Sequence, residues 1–270
     1  MLTHFAIRLI CGMSVVWCVM PRAKVTSGFF RIQMLVTLGL SVLAAMAVGQ
    51  MPSAMGGDSI LSGDAVRWIS VTLAVLSFLG SVMWTLERRA AGGRFAFVIA
   101  AVATATAVLS VVSTESLRTL AGNLYWLTEL STAAVSGAAV GGMLLGHWYL
   151  TAPTMSTSPL NRVNFWLGSA AAVRLLVGAV ALCVFWPFAQ SESTAADSGQ
   201  AAWTSTYTVW LTLEWLGGIL GPLAVSFMVV RILRYRNTQS ATGVLFVGVI
   251  LAFIGEMTGA LLRRELQLPL

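Results

Sequence analysis

The sequence has too few charged residues to cover a water-soluble protein of its length. Charged side chains make up 10% of the 270 residues and hydrophobic ones 57%, whereas soluble domains carry about 25% charged residues. The apolar residues form repeated stretches of roughly 17–25 residues, the length of a helix that crosses a hydrocarbon core of about 30 Å. Open sheets are excluded in lipid, and the short alternating segments of a lipid-facing barrel are missing. The sequence therefore predicts an all-α, polytopic integral membrane protein.

Histidine and cysteine are also scarce, which limits the haem and metal sites that we expect. The two histidines, His4 and His147, fall at opposite predicted membrane faces, so they should not ligate one haem together. Cys11, Cys18 and Cys183 lie inside apolar stretches without CxxC spacing, as buried thiols do. The sequence contains no P-loop, dinucleotide fingerprint, HExxH motif or nucleophile elbow. We therefore predict no metal, and at most a subunit of an oxidoreductase complex.

The apolar stretches predict about eight transmembrane spans joined by short links. The spans cover approximately residues 3–20, 33–50, 68–86, 95–112, 122–149, 164–186, 207–233 and 243–262. The longest link holds about 20 residues, too few to fold as a separate soluble domain. The lipid bilayer is therefore the first predicted partner, and no catalytic domain is expected outside it.

The charges of the links predict how the chain is oriented. Odd-numbered links carry most of the arginines, and even-numbered links carry most of the acidic residues, among them Asp58, Glu115 and Asp197. The positive-inside rule then places the odd links in the cytoplasm and both termini on the outer side of the cell (inner) membrane. Arg263 and Arg264, after the last span, argue against this orientation. The same clusters explain the net charge of +6 without a nucleic acid as partner.

Two parts of the chain share a pattern at a constant offset. Trp17, Thr26, Ser27 and Arg31 align with Trp148, Thr157, Ser158 and Arg162. If the pattern reflects a duplication, the chain consists of two parallel four-helix units, residues 1–120 and 121–270. A chance match is the alternative.

Five charged residues fall inside the predicted spans and are the candidates for a functional site. They are Arg8, Glu129, Arg174, Glu214 and Glu256. A charge at the centre of a span costs about 2.5–3.5 kcal/mol on insertion scales, so a partner or a function usually retains it. At 1.5 Å per residue, Arg8 and the three glutamates lie roughly 10 Å below the outer surface, and Arg174 roughly 18 Å below it. All five therefore share the outer half of the membrane.

Two interpretations of these five charges stay open at this point. In the first, Arg8 and Arg174 pair with carboxylates and fix the helix register. In the second, the residues line a polar pocket open to the outside, where a carboxylate exchanges protons or binds a ligand headgroup. Two arginines neutralise two carboxylates, which leaves a third carboxyl either protonated or facing water.

Small residues and one proline predict where helices approach each other or bend. Pro222 removes a backbone hydrogen bond and predicts a kink one to two turns from Glu214. The small-xxx-small patterns predict close helix contacts. They are Gly137-xxx-Gly141, Gly217-xxx-Gly221 and Gly255-xxx-Gly259.

In topology the predicted chain resembles the eight-helix, quinol-handling membrane anchors of bacterial molybdopterin oxidoreductases. The resemblance is one of architecture alone, so no residue role is carried over from that family. It implies a haem-free membrane anchor or quinone-interacting subunit of a larger respiratory-type complex. Quinone would be the cofactor, and other membrane or peripheral subunits would be the partners. On this hypothesis Glu129, Glu214 or Glu256 accepts quinol protons, and Arg8 and Arg174 set the local potential, while Trp126, Trp210 and Trp215 could form an apolar portal.

Two alternatives come from other functional classes. One is a small-molecule or ion transporter built from two four-helix repeats, although such a protein should carry polar residues along a path to both faces. The other is a non-catalytic assembly or scaffold protein, in which every carboxylate is paired and no cavity exists.

Overall fold

The apolar stretches of the sequence fold into a bundle of eight long helices in the computed structural model. The structure describes residues 2–50, 60–112, 120–152, 154–193 and 208–266. The helices are α1 (Leu2–Val19), α2 (Ser27–Ala47), α3 (Gly63–Thr85), α4 (Arg89–Leu109), α5 (Leu120–Thr151), α6 (Ser158–Ser193), α7 (Thr208–Arg234) and α8 (Thr238–Leu266). Each is long and apolar enough to cross a membrane. The prediction of an all-α, multi-pass membrane protein is therefore confirmed.

Several helices begin roughly one to two turns before the apolar stretch that predicted them. The helix α2 begins at Ser27, α4 at Arg89 and α6 at Ser158, whereas the apolar stretches begin near residues 33, 95 and 164. The additional turns contain polar and basic side chains that belong at the level of the lipid headgroups. Hydropathy marks the part of a helix that lies in hydrocarbon, and the helix itself continues beyond it.

Helices α1 and α5 form the centre of the bundle. In each of them 67% of the span is buried, compared with 33–44% in the other six helices. They run parallel, because Gly12 of α1 lies against Ala133 and Gly137 of α5, and Val16 lies against Gly141 one turn further along both helices. A Cβ atom on Gly12 would overlap the carbonyl oxygen of Ala133, so the two backbones are in direct contact. The predicted packing role of Gly137 and Gly141 is confirmed.

The remaining helices surround this central pair. Helices α2 and α4 contact α1, and α3 packs between α2 and α4; α6 and α8 contact α5, and α7 packs between α6 and α8. Helices α6 and α7 are joined by two hydrogen bonds, from Asn164 Nδ2 to the Ser226 carbonyl and from Ser226 Oγ to the Asn164 carbonyl, each 3.0 Å long. Between the halves, Trp148 Nε1 donates to Thr26 Oγ1 over 2.8 Å. The proposed duplication stays a prediction.

Most of the links that we predict on the outer side lie outside the described residues. The parts of these links outside the described residues are 51–59, 113–119 and 194–207, and they include the acidic residues Asp58, Glu115 and Asp197. The orientation of the termini therefore also stays a prediction.

The link between α3 and α4 is a tight turn that depends on one residue with left-handed backbone geometry. Glu87 has a φ angle of 56°, and its N–H donates to the Trp84 carbonyl (3.2 Å) while Arg88 N–H donates to the Met83 carbonyl (3.0 Å). This pair of bonds is the Schellman arrangement, in which glycine is preferred because a Cβ is strained at positive φ. The turn fixes where α4 begins.

Replacing Glu87 by glycine is therefore expected to raise the free energy of unfolding by about 1 kcal/mol, because the Cβ strain is removed. The measurement is unfolding in mild detergent, followed by tryptophan fluorescence. The control is Arg88→Gly, because Arg88 has a negative φ of −77° and gains nothing from glycine. Equal effects of the two substitutions would contradict this explanation of the turn.

Candidate functional site

The structure brings all five charged residues predicted inside the spans together at one end of the bundle. Arg8 comes from α1, Glu129 from α5, Arg174 from α6, Glu214 from α7 and Glu256 from α8. Each side chain is buried, since the exposed fractions of the five residues are between 2% and 6%. Buried charges at this density require partners, because desolvation costs several kcal/mol per ion.

Arg8 is the centre of one group of ion pairs. Its Nε and Nη2 atoms donate to Glu129 Oε1 and Oε2, each over 2.5 Å, so the guanidinium holds this carboxylate with two parallel bonds. Its Nη1 atom donates to Glu256 Oε1. One arginine therefore ties three helices together: α1, α5 and α8. The close contact of α1 and α5 at Gly12 makes such a short connection between their side chains geometrically feasible.

A second ion pair joins α6 and α7. Arg174 Nη2 donates to Glu214 Oε1 over 2.6 Å. Glu214 is the first residue of a π-helical segment, Glu214–Leu220, and the Gly221 N–H donates to the Leu216 carbonyl five residues earlier. Pro222 follows at the start of the next regular turns. Because Pro222 has no N–H to donate, the backbone widens before it, and the predicted kink takes the form of a π-helical turn, a feature frequent at functional sites.

Glycines of α7 and α8 allow the carboxylates to approach each other. A Cβ on Gly255 would overlap the Gly218 backbone, and a Cβ on Gly259 would lie 2.9 Å from Glu214 Oε1. The predicted close contact at Gly217 and Gly255 is confirmed, since the Cβ of Gly217 would lie 3.1 Å from the Leu251 carbonyl oxygen of α8. Small residues here bring Glu214 beside the end of α8.

A small cavity lies between the two groups of ion pairs. Arg174, Glu214, Glu256 and Arg263 line it, with Thr132 and Ser136 of α5 and glycines of α7 and α8. Its water-accessible volume is about 10 Å³, which is close to the space that a single water molecule needs. Within the described part of the chain, Arg174 Nη1, Glu214 Oε2 and Glu256 Oε2 are buried and have no hydrogen-bond partner. Three helices thus direct unsatisfied polar atoms toward one water-sized space.

Arg263, which the sequence places after the last predicted span, is a further residue of the site. The last apolar stretch ends near residue 262, whereas α8 continues to Leu266, so Arg263 is inside the helix and reaches the cavity. Its spacing could have revealed it: Glu256, Gly259 and Arg263 follow each other at three- and four-residue intervals and share one helix face. With Arg263, three guanidiniums accompany three carboxylates. Each of the three carboxylates accepts a hydrogen bond from Arg8 or Arg174, and the third carboxyl that is protonated or faces water stays a prediction.

The cavity is too small to hold the predicted quinone. A water-sized space does not admit a quinone ring, since pockets for such ligands have about 300–1,000 Å³. Glu129 is not among the residues that line the cavity, and both of its oxygens accept hydrogen bonds from Arg8. Trp126, Trp210 and Trp215 are half-buried, and Trp126 Nε1 donates to Asn123 Oδ1 over 3.1 Å.

The residue types that usually bind metal or haem do not form a cluster among the described residues. No three His, Cys, Asp or Glu side chains among the described residues are arranged to hold a metal ion together. His4 is near the start of α1 and His147 near the end of α5. Because α1 and α5 run parallel, the two histidines lie at opposite ends of the bundle.

Comparisons of the chain with known protein families, with characterised proteins and with solved structures find no match. The resemblance to the quinol-handling membrane anchors therefore rests on topology alone.

Proposed function

We propose that the chain is a haem-free membrane-anchor subunit of a larger respiratory-type complex, in which buried carboxylates exchange protons with a quinone. The observation that carries the proposal is the water-sized cavity shared by Glu214 and Glu256, each with one unsatisfied oxygen. Chains of acidic side chains and water inside a membrane are typical of proton relays. The quinone ring would bind outside this cavity, and protons would reach it through the carboxylates.

Three features of the site support a relay between these two carboxylates. A water molecule in the cavity would find two to four polar partners, as buried water requires. Arg174 Nη1 is such a partner, since it is buried without a hydrogen bond among the described residues. The π-helical turn at Glu214 places its carboxylate beside α8 rather than in lipid.

We place the chain in the cell (inner) membrane, with the cluster of buried charges toward its outer side. The distribution of basic residues in the links supports it through the positive-inside rule. In this orientation the cluster exchanges protons with the outer aqueous phase, as a subunit that oxidises quinol at that face would need.

The relay can be tested by infrared difference spectroscopy on the purified protein while the pH is changed. We expect a carboxylic-acid C=O band that disappears in Glu214→Gln and in Glu256→Gln. The matched control is Glu129→Gln, which should keep the band because Arg8 binds both Glu129 oxygens. A wild-type protein without any titrating carboxyl band would overturn the relay.

The subunit proposal has its own test, which is purification from native membranes in mild detergent. We expect a redox subunit to co-purify and quinone to be extracted in near-stoichiometric amount. If the chain is isolated alone and free of quinone, the membrane-anchor proposal fails, whatever the infrared result.

A second candidate is a non-catalytic scaffold, and one observation favours it. Glu129, Glu214 and Glu256 each accept a hydrogen bond from a guanidinium, as expected for ion pairs that fix helix register. A silent infrared spectrum together with an isolated chain would select this candidate. The transporter alternative is less favoured, because the buried charges of the described spans lie at one end of the bundle instead of along a path to both faces.

A further inference from the structure

A groove lined by arginines lies at the opposite end of the bundle from the buried charge cluster. Arg22 and Ala23 of the link after α1 form one side, and Arg89, Gly93 and Arg94 of α4 form the other. The groove has a volume of about 750 Å³, which is within the range of pockets for small organic ligands. It is thus a second site, separate from the proposed proton relay.

Contacts of Arg22 and Arg89 hold these two arginines between the link and α4. Arg22 lies directly against Gly93, where a Cβ would overlap its Nη1 atom. Arg89 Nη1 donates to the Ala23 carbonyl over 3.4 Å and stays beside the link. Gly93 therefore creates the space that Arg22 occupies beside α4.

The groove is positively charged near the start of α4, and its surface is apolar further along this helix. Its lining residues include three arginines and no carboxylate. The first turn of α4 adds the positive end of the helix dipole, and the side chain of the N-cap residue Arg88 does not cap this turn. One to two turns further along α4, Phe97 and Val98 are 68% and 42% exposed. A ligand that fits both parts has an anionic head and an apolar tail.

We propose that this groove binds the headgroup phosphate of an anionic phospholipid, with the acyl chains lying along Phe97 and Val98. Guanidinium groups bind phosphate oxygens with paired, charge-assisted hydrogen bonds. Basic pockets at the ends of membrane helices are known to select anionic lipid headgroups. The exposed apolar residues directly below the arginines distinguish a lipid from a phosphate ion in solution, because a free ion gains nothing from them.

The test uses the full chain in nanodiscs that contain equal amounts of phosphatidylglycerol and phosphatidylcholine, followed by native mass spectrometry of the bound lipid. The wild type is expected to retain phosphatidylglycerol preferentially. In the triple variant Arg22→Gln/Arg89→Gln/Arg94→Gln this preference should fall by about 100-fold, since each basic residue near the surface contributes about a factor of five. Retention of the preference in this variant overturns the proposal.

A matched triple variant separates the groove from the general surface potential. Arg31, Arg162 and Arg234 are exposed at the same end of the bundle but do not line the groove. Their replacement by glutamine removes the same charge and should leave the preference within about twofold, because surface charges are screened over about 8–10 Å. An equal loss in both triple variants would show diffuse attraction and overturn a specific site.

Gly93→Leu tests the site without a change of charge. The new side chain would fill the groove and displace the guanidinium of Arg22, a flexible group, so the fold should tolerate it. We expect the lipid preference to fall at least tenfold, and an unchanged preference would refute the proposed binding mode even if the triple variant did not fold. Inorganic phosphate in excess should not displace the lipid; if it does, the occupant is a soluble phosphate.

Discussion

Replacing Arg8 by methionine is expected to prevent stable folding of the bundle. The substitution leaves Glu129 without both of its hydrogen bonds and Glu256 without its bond to Arg8, while both residues remain buried. Removing one partner of a buried ion pair costs about 3–5 kcal/mol, and here two carboxylates lose the same partner. The measurement is the fraction of monodisperse protein after detergent extraction, together with the free energy of unfolding in a denaturing detergent.

Two further variants show whether unpaired charge is the cause. Arg8→Met combined with Glu129→Met and Glu256→Met replaces the whole network by apolar side chains of similar volume and should recover most of the stability, because such a replacement of a buried ion network costs little. Arg174→Met deprives one carboxylate, Glu214, of its partner and should be less harmful than Arg8→Met. If Arg8→Met alone unfolds at the same denaturant concentration as the wild type, Glu129 and Glu256 have access to water and the cluster is not sealed.

The fold could be predicted from the sequence to the level of eight membrane-crossing helices. Hydropathy over about 20 residues depends on length and composition alone. In the bilayer only helices and closed barrels pair all of their backbone polar groups, so few other folds are possible. The positions of helix ends were less predictable, since α2, α4 and α6 begin in polar residues at headgroup level. These turns form because the backbone hydrogen bonds of a helix extend past the hydrocarbon region.

The members of the site could be selected from the sequence, but their pairing could not. Arg8, Glu129, Arg174, Glu214 and Glu256 stand out because charge is costly in lipid, and counting residues places all five in the outer half of the membrane. Pairing depends on how each helix is rotated about its axis and on which helix is its neighbour, and neither is visible in one sequence. For this reason the role of Arg8 as partner of two carboxylates became evident from the structure alone.

The cavity depends on local features that a hydropathy pattern does not reveal. Pro222 predicted a kink, and the chain forms a π-helical turn over Glu214–Leu220 directly before it. Arg263 was predicted to lie after the last span because the apolar stretch ends one residue before it, although its helix continues to Leu266. Whether these residues move protons is a question about water access, which composition does not determine.

Replacing Gly137 by alanine is expected to be nearly as damaging as the loss of Arg8, although it adds one methyl group. The new Cβ would overlap backbone atoms of Gly12 and Met13, which cannot shift as a flexible side chain can. Overpacking of a core usually costs about 1–3 kcal/mol, and separation of α1 from α5 would also stretch the two bonds between Arg8 and Glu129. We expect destabilisation of at least about 3 kcal/mol by the same unfolding measurement, since both effects add.

The control for this substitution is Gly39→Ala in α2, where a Cβ meets no atom of the described chain within 4 Å. It should leave stability unchanged or slightly raised, because alanine favours helix by about 1 kcal/mol over glycine. The two substitutions are chemically identical, so a difference between them reports the contact of α1 with α5 and nothing else. Equal stability of both variants would mean that the central helices can separate, and then neither the bidentate bond from Arg8 nor the cavity beside it could persist in the form described.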